Sequence, residues 1–204
     1  MDKIEQGNVL AVEGKDEKNF FDALLKSLTI TNVQIIDVGG KDNFKHIFPV
    51  YLQSDRALDI IKNIGFIRDA EDREAEAAFQ SICSVLNNYK LPCPTQTGKV
   101  IEHDGKKVNI FIMPNNNDCG MLENLCVTSI KETDVFDCVD CFVKCYANMI
   151  SKEKYNLPKA EILAYLSTRT PVVNSLGVAA QQNVWDFSHK CFSEIKKFLI
   201  ELFE

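Results

Sequence analysis

The sequence predicts an α/β fold: a Rossmann-like parallel sheet flanked by helices, with a β-hairpin insertion and an all-helical C-terminal extension. Three observations carry this. Short apolar runs alternate with amphipathic helical patterns through the first ninety residues, which is the signature of right-handed βαβ crossovers. Asp104-Gly105 stands between two strand-like runs within 99–113, a strong hairpin signal. After about residue 128 only helical periodicity remains. That shift divides an α/β core, 1–128, from a helical subdomain, 129–204, packed on it.

Taken in order, Val9-Leu10-Ala11-Val12 reads as the end of the first strand. A helix is expected from about Glu17 to Leu28, with Asp16 able to cap it. Val33 to Val38 is the second strand, closed by Gly39-Gly40, and Asn43 to Gln53 the second helix. The third strand lies within Ile60 to Arg68. Arg73 to Asn88 repeats Ala75, Ala78, Phe79, Ile82, Val85 and Leu86 at helical spacing. Gly120 to Leu125 begins another helix. Beyond it, Val135, Phe136, Val139, Phe142, Val143 and Tyr146 form one stripe, Ala160 to Leu166 a further helix, and Ser188 to Phe203 the last. Thr170 to Trp185 reads as a long loop holding the single tryptophan.

The totals narrow the function. The 204 residues carry a net charge of -6, which argues against broad electrostatic capture of nucleic acid. It leaves open an enzyme whose acids hold metal. Met1-Asp2-Lys3-Ile4-Glu5 lacks the apolar core of a signal peptide, and no run reaches the roughly 18 apolar residues of a membrane span. Eight cysteines without a secretory signal indicate reduced thiols and a cytoplasmic protein with no membrane partner.

The chemistry concentrates at two strand ends. Glu13-Gly14 stands where the first strand turns into a helix, the edge at which open α/β sheets bind ligands. Asp69-Ala70-Glu71-Asp72 repeats the arrangement after the third strand. Paired carboxylates there suit a hard divalent cation such as Mg²⁺ or Mn²⁺. Each acid also has an ordinary role available. Glu13 would be a solvated carboxylate, Asp69 a helix cap, and Glu71 and Asp72 acids at a positive helix start.

With Glu13 followed by the Asp69 to Asp72 strand end, the sequence resembles a Toprim domain, the metal-binding fold of topoisomerases, bacterial primases and OLD-family nucleases. The resemblance implies Glu13, Asp69 and Glu71 as ligands. Glu71 replaces the family's second Asp, and Asp72 is an alternative to it. Across nearly its whole length the chain is similar to the Toprim-like family DUF3226. The similarity rests on Val12-Glu13-Gly14-Lys15-Asp16, Gly39-Gly40-Lys41, Arg68-Asp69-Ala70, Gly120-Met121-Leu122-Glu123, Lys159-Ala160, Gly177-x-Ala179-Ala180 and Trp185-Asp186-Phe187. By position, the OLD nucleases imply Glu17 for a second ion, Glu123 to orient water or bind that ion, and Lys159 to steady developing negative charge. A surface role is the alternative for each.

The expectation is therefore a Mg²⁺-dependent phosphoesterase or nuclease acting on DNA or RNA. The alternative is a non-catalytic metal- or nucleic-acid-binding module of a multi-protein defence or toxin-type system. OLD nucleases carry an ATPase half, and with no Walker loop here any ATPase would be a separate partner protein. Gly39-Gly40-Lys41 is a tight turn rather than a phosphate loop. Cys138, Cys141 and Cys145 fall on one helix face and read as small buried hydrophobes rather than zinc ligands. His46, His103 and His189 lie in unrelated contexts.

Overall fold

The computed structural model describes residues 3–53, 56–72, 75–149 and 155–204. The strands are β1 (Asn8–Val12), β2 (Val33–Asp37), β3 (Asn63–Asp69), β4 (Ile101–His103) and β5 (Lys106–Met113). They form one sheet in the order β2-β1-β3-β5-β4. The first four in that order run parallel, and β4 pairs antiparallel with β5 through the Asp104-Gly105 turn. The parallel strands therefore all present their C-terminal ends at one edge. The helices are α1 (Lys15–Ser27), α2 (Phe48–Leu52), α3 (Ala57–Ile60), α4 (Ala75–Asn88), α5 (Leu122–Ile130), α6 (Asp134–Ala147), α7 (Leu157–Ser167), α8 (Leu176–Gln181) and α9 (Ser193–Phe203).

Side chains alternate across a strand, and the two faces make separate cores. Leu10, Val12, Ile67, Phe111 and Met113 pack beneath α1, α5 and the helices that follow. Val9, Ala11, Ile64, Phe66, Val108, Ile110 and Ile112 pack against α2, α3 and α4. Residues after 128 belong to the first core, where Phe198, Leu199 and Leu202 of α9 join the strand residues. Gly65 makes that approach possible. A Cβ there would stand 2.8 Å from Leu202 and 2.9 Å from Leu10, so α9 crosses directly over β3. No helix among the described residues is long and apolar enough to cross a membrane.

Several elements differ from expectation. The second helix is split into a 3-10 turn, Lys41–Lys45, and the short α2 with Pro49 in its first turn. The loop between Thr170 and Trp185 contains α8, too short to show periodicity. Helix α6 faces the core with Phe136, Val139 and Val143 only, and Phe142 is 66% exposed. Cys138, Cys141 and Cys145 lie on its outer side and are exposed, not buried. Two apolar stripes compete on this helix, and packing selects the one that the thiols do not share.

Candidate metal centre

Two strand ends and two helix starts build one acidic crevice. Glu13 leaves β1, and its Oε1 accepts the Asp69 backbone N–H of β3 at 3.1 Å. Asp69 Oδ1 in turn accepts the Leu122 N–H that opens α5, at 3.2 Å. One chain of hydrogen bonds thus joins β1, β3 and α5. Glu123 in the first turn of α5 and Glu17 in the first turn of α1 stand close enough to act on these carboxyls electrostatically.

The local backbone serves the same placement. Gly14 has extended backbone, with φ -153°, so its freedom to turn is unused. Its small size is what matters, since a Cβ would lie 3.0 Å from Glu17 Oε2. Gly120, at φ +138°, requires glycine, and a side chain there would strike Asn124 Oδ1 at 2.8 Å. That Asn124 oxygen accepts the Met121 N–H at 2.9 Å and closes the start of α5. Gly120 also accepts the Glu71 N–H at 2.8 Å, which ties the acidic turn after β3 to the approach to α5. The Gly39-Gly40 turn borders the other side, where the Gly40 N–H donates to the Glu13 carbonyl at 2.7 Å.

Asp16 is not the cap of α1. Helix α1 begins at Lys15 with Gly14 before it, and Asp16 lies within the first turn. Its carboxylate accepts the Ser175 hydroxyl and, at 3.2 Å, the Gly177 N–H. Asp16 thereby pins the start of α1 to α8. Gly177 permits the contact, because a Cβ would fall 2.4 Å from the Asp16 carbonyl oxygen.

Burial dominates the electrostatics. Desolvation pushes the Glu13 carboxyl up to about 7, with the Asp69 N–H and Arg68 opposing and Glu17 and Glu71 adding repulsion. Glu17 is raised by burial and then by Glu123, Asp16 and Asp37. Asp69 is raised well above the usual carboxyl range by burial, then by Glu13, Glu17 and Glu123. The cation closest to Glu13 among the described ion pairs is Arg68, whose Nε lies 3.8 Å from Oε1. Arg68 Nε and Nη1 are buried without a hydrogen-bond partner.

Of the residues singled out from sequence, Glu13, Glu17, Asp69 and Glu123 come together, and Glu71 acts on Glu13 from the turn. Asp72 is exposed, and no described interaction joins it to the group. Lys159 is exposed in the first turn of α7, where its N–H is capped by Asn156 Oδ1 at 3.1 Å, and no described interaction links it to the carboxylates. Sequence reasoning passed over Arg68 and Asp37. Asp37 ends β2 as Asp69 ends β3, so an acid at a third strand terminus was the available signal.

All the donors are carboxylate oxygens, the set that hard divalent cations select. Acids whose protonated form is favoured first by burial and then by mutual repulsion are relieved by a cation. Among the described residues, no three Asp, Glu, His or Cys side chains close into a ready-made ion cage. The acids cluster at the sheet edge instead, and Mg²⁺ held by few carboxylates retains several waters. The donor set fits Mg²⁺ or Mn²⁺.

Comparison with known proteins places the chain. A family sequence profile, described as a protein of unknown function, DUF3226, matches residues 7–204. The chain belongs to DUF3226. No curated protein matches it significantly. A hypothetical protein from Pyrococcus horikoshii has a similar structure, with TM-score 0.60 and 16% identity, over 97% of this DUF3226 chain and 95% of that one. The C-terminal region of the Burkholderia pseudomallei OLD protein aligns with TM-score 0.40 and 12% identity, over 96% and 87% of the two chains.

Proposed function

We propose that this DUF3226 chain is a Mg²⁺- or Mn²⁺-dependent phosphoesterase of the Toprim type that hydrolyses nucleic-acid phosphodiesters. The observation that carries the reading is the joining of Glu13, Asp69 and the α5 terminus by hydrogen bonds at the C-terminal edge of the sheet. Glu13 and Asp69, with Glu71 or Asp72, would hold one ion, and Glu17 and Glu123 a second. Such ions supply charge neutralisation at the phosphate and a more acidic water.

The chain's own residues do the rest. Arg68 approaches Glu13 and fixes that carboxylate against the Asp69 N–H. Glu123, on the first turn of α5, would orient a water and accept its proton. Lys159, exposed in the first turn of α7, would steady developing negative charge on the substrate. DNA or RNA is the substrate class, and an ATPase, if one takes part, is a separate chain.

A non-catalytic metal- or nucleic-acid-binding module is the second reading. It is favoured by the absence of a closed ion cage among the described residues. Incubating labelled single- and double-stranded DNA and RNA with the purified chain in Mg²⁺ or Mn²⁺ separates the two. Cleavage by the wild type that EDTA and Asp69→Asn both abolish supports the enzyme. Metal binding without cleavage supports the module, and cleavage undiminished in Asp69→Asn would sink the site assignment.

A further inference from the structure

The residue before Asp69 has a need that the carboxylates do not meet. Side chains alternate along β3, so Ile64, Phe66 and Arg68 fall on one face of the sheet. Ile64 and Phe66 are buried in the core that packs against α2, α3 and α4. Arg68 continues their row at the C-terminal edge, in register with buried Ile112 of β5. Only 14% of its side chain is exposed, and Nε and Nη1 are buried with no hydrogen-bond partner. A guanidinium carries five N–H donors in one plane and keeps its charge. A buried charged donor left unmet is destabilising, and a folded chain tolerates it at a site where a ligand supplies the acceptor.

Glu13 does not fill that role. Its Oε1 lies 3.8 Å from Arg68 Nε, beyond hydrogen-bond length, and already accepts the Asp69 N–H at 3.1 Å. A cation cannot fill it either, because a guanidinium has no acceptor and repels positive charge. What Arg68 lacks is an anion with oxygens spaced for its planar fork, which is the geometry of a phosphate. Nη2 is not among the buried unpartnered atoms, so an anion would reach the fork from that side.

We infer that Arg68 grips the phosphate of the substrate by donating N–H bonds to its non-bridging oxygens. The inference rests on the phosphoesterase reading above and adds to it the residue that holds the substrate's anion. An anion that approaches Glu13, Glu17, Asp69 and Glu123 meets repulsion, and Arg68 is a fixed positive charge beside them. Because Arg68 stands next to Glu13, a phosphate on its fork lies against the proposed metal ligands. There the guanidinium offsets negative charge that gathers on the phosphate oxygens during hydrolysis.

The test is equilibrium titration of the full chain with inorganic phosphate, in EDTA and in saturating Mg²⁺, and with Mg²⁺ alone, on wild type, Arg68→Lys and Arg68→Met. The wild type is expected to bind phosphate. Arg68→Lys keeps the charge without the planar fork and should bind phosphate about 10-fold less tightly, and Arg68→Met about 100-fold less tightly. Binding of Mg²⁺ alone should not weaken in either variant, which also shows that both are folded. The assignment is overturned by no phosphate binding to the wild type in either condition or by phosphate affinity unaltered in Arg68→Met. It is overturned as well if Mg²⁺ affinity falls together with phosphate affinity in both variants, since Arg68 would then only support Glu13. A wild type that binds no Mg²⁺, yet binds phosphate in EDTA and loses it in Arg68→Met, would remove the metal reading and leave Arg68 as the phosphate grip.

Discussion

At the ends of β1 and β3, Glu13 and Asp69 are half-buried among further acids, with Arg68 Nε 3.8 Å from the Glu13 carboxylate. On α7, Glu161 is buried beside Asp140, whose repulsion Lys131 and Lys144 oppose. Desolvation raises all three carboxyls, so burial by itself does not separate the two places. The neighbours do. Repulsion among carboxylates creates a demand that a multivalent cation meets. Around Glu161, Lys131 and Lys144 already offset the repulsion from Asp140, which leaves no such demand. The balance of the surrounding charge, more than the degree of burial, distinguishes the two places.

The largest effect expected from breaking this contrast is on activity. Asp69→Asn keeps the shape of the side chain and removes one charge, and metal-dependent phosphodiester cleavage should fall at least about 100-fold in initial-rate assays. Glu161→Gln should leave that rate unchanged. Next comes the scaffold that places Glu17. In Gly177→Ala the added methyl meets the Asp16 carbonyl, and the loss should be about 1–3 kcal/mol by urea titration, with the start of α1 displaced from α8.

The pH dependence gives the third contrast. The folded Glu13 carboxyl lies near 7, above its ordinary 4.5, so the folded state binds a proton there more tightly than the unfolded chain does. Its stabilising contribution is complete below about 4.5 and is lost as pH rises towards about 7. The metal-free protein should lose up to about 3 kcal/mol over that window. Glu13→Gln should reduce the slope, leaving the part that the raised Glu17 and Asp69 contribute, which chemical denaturation at a series of pH values would measure. The smallest effect should come from Glu161→Gln, within about 1 kcal/mol of wild type, because a neutral amide avoids the desolvation that the carboxylate suffers.

The strand ends were legible because two local signals coincide there: an apolar run of strand length and an acid immediately after it. Glu13 and Asp69 are therefore visible without structure, and strand alternation places both at one edge. What was not legible depended on tertiary choice. Helix α6 carries apolar residues on more than one side, and the sequence does not say that Phe136, Val139 and Val143 win over Phe142 and the three cysteines. Helix α8 has six residues and no full apolar period. Asp16 has the composition of a cap, yet its partners, Ser175 and Gly177, lie some 160 positions away. Glu161 gave no signal because an isolated acid on a helix is ordinarily a solvated one.

The most direct test of the crevice is thermal melting of the EDTA-treated protein, with and without Mg²⁺ or Mn²⁺, on wild type and Asp69→Asn. At a hundred times its dissociation constant, an ion that binds only the folded state adds about 2.7 kcal/mol. For a chain of this length that is a rise of roughly 5–10 °C. The account predicts this rise in the wild type and its disappearance in Asp69→Asn. An equal rise in both proteins, or none in either with saturating metal, would contradict it and return Glu13 and Asp69 to the roles of turn residue and helix-start acceptor.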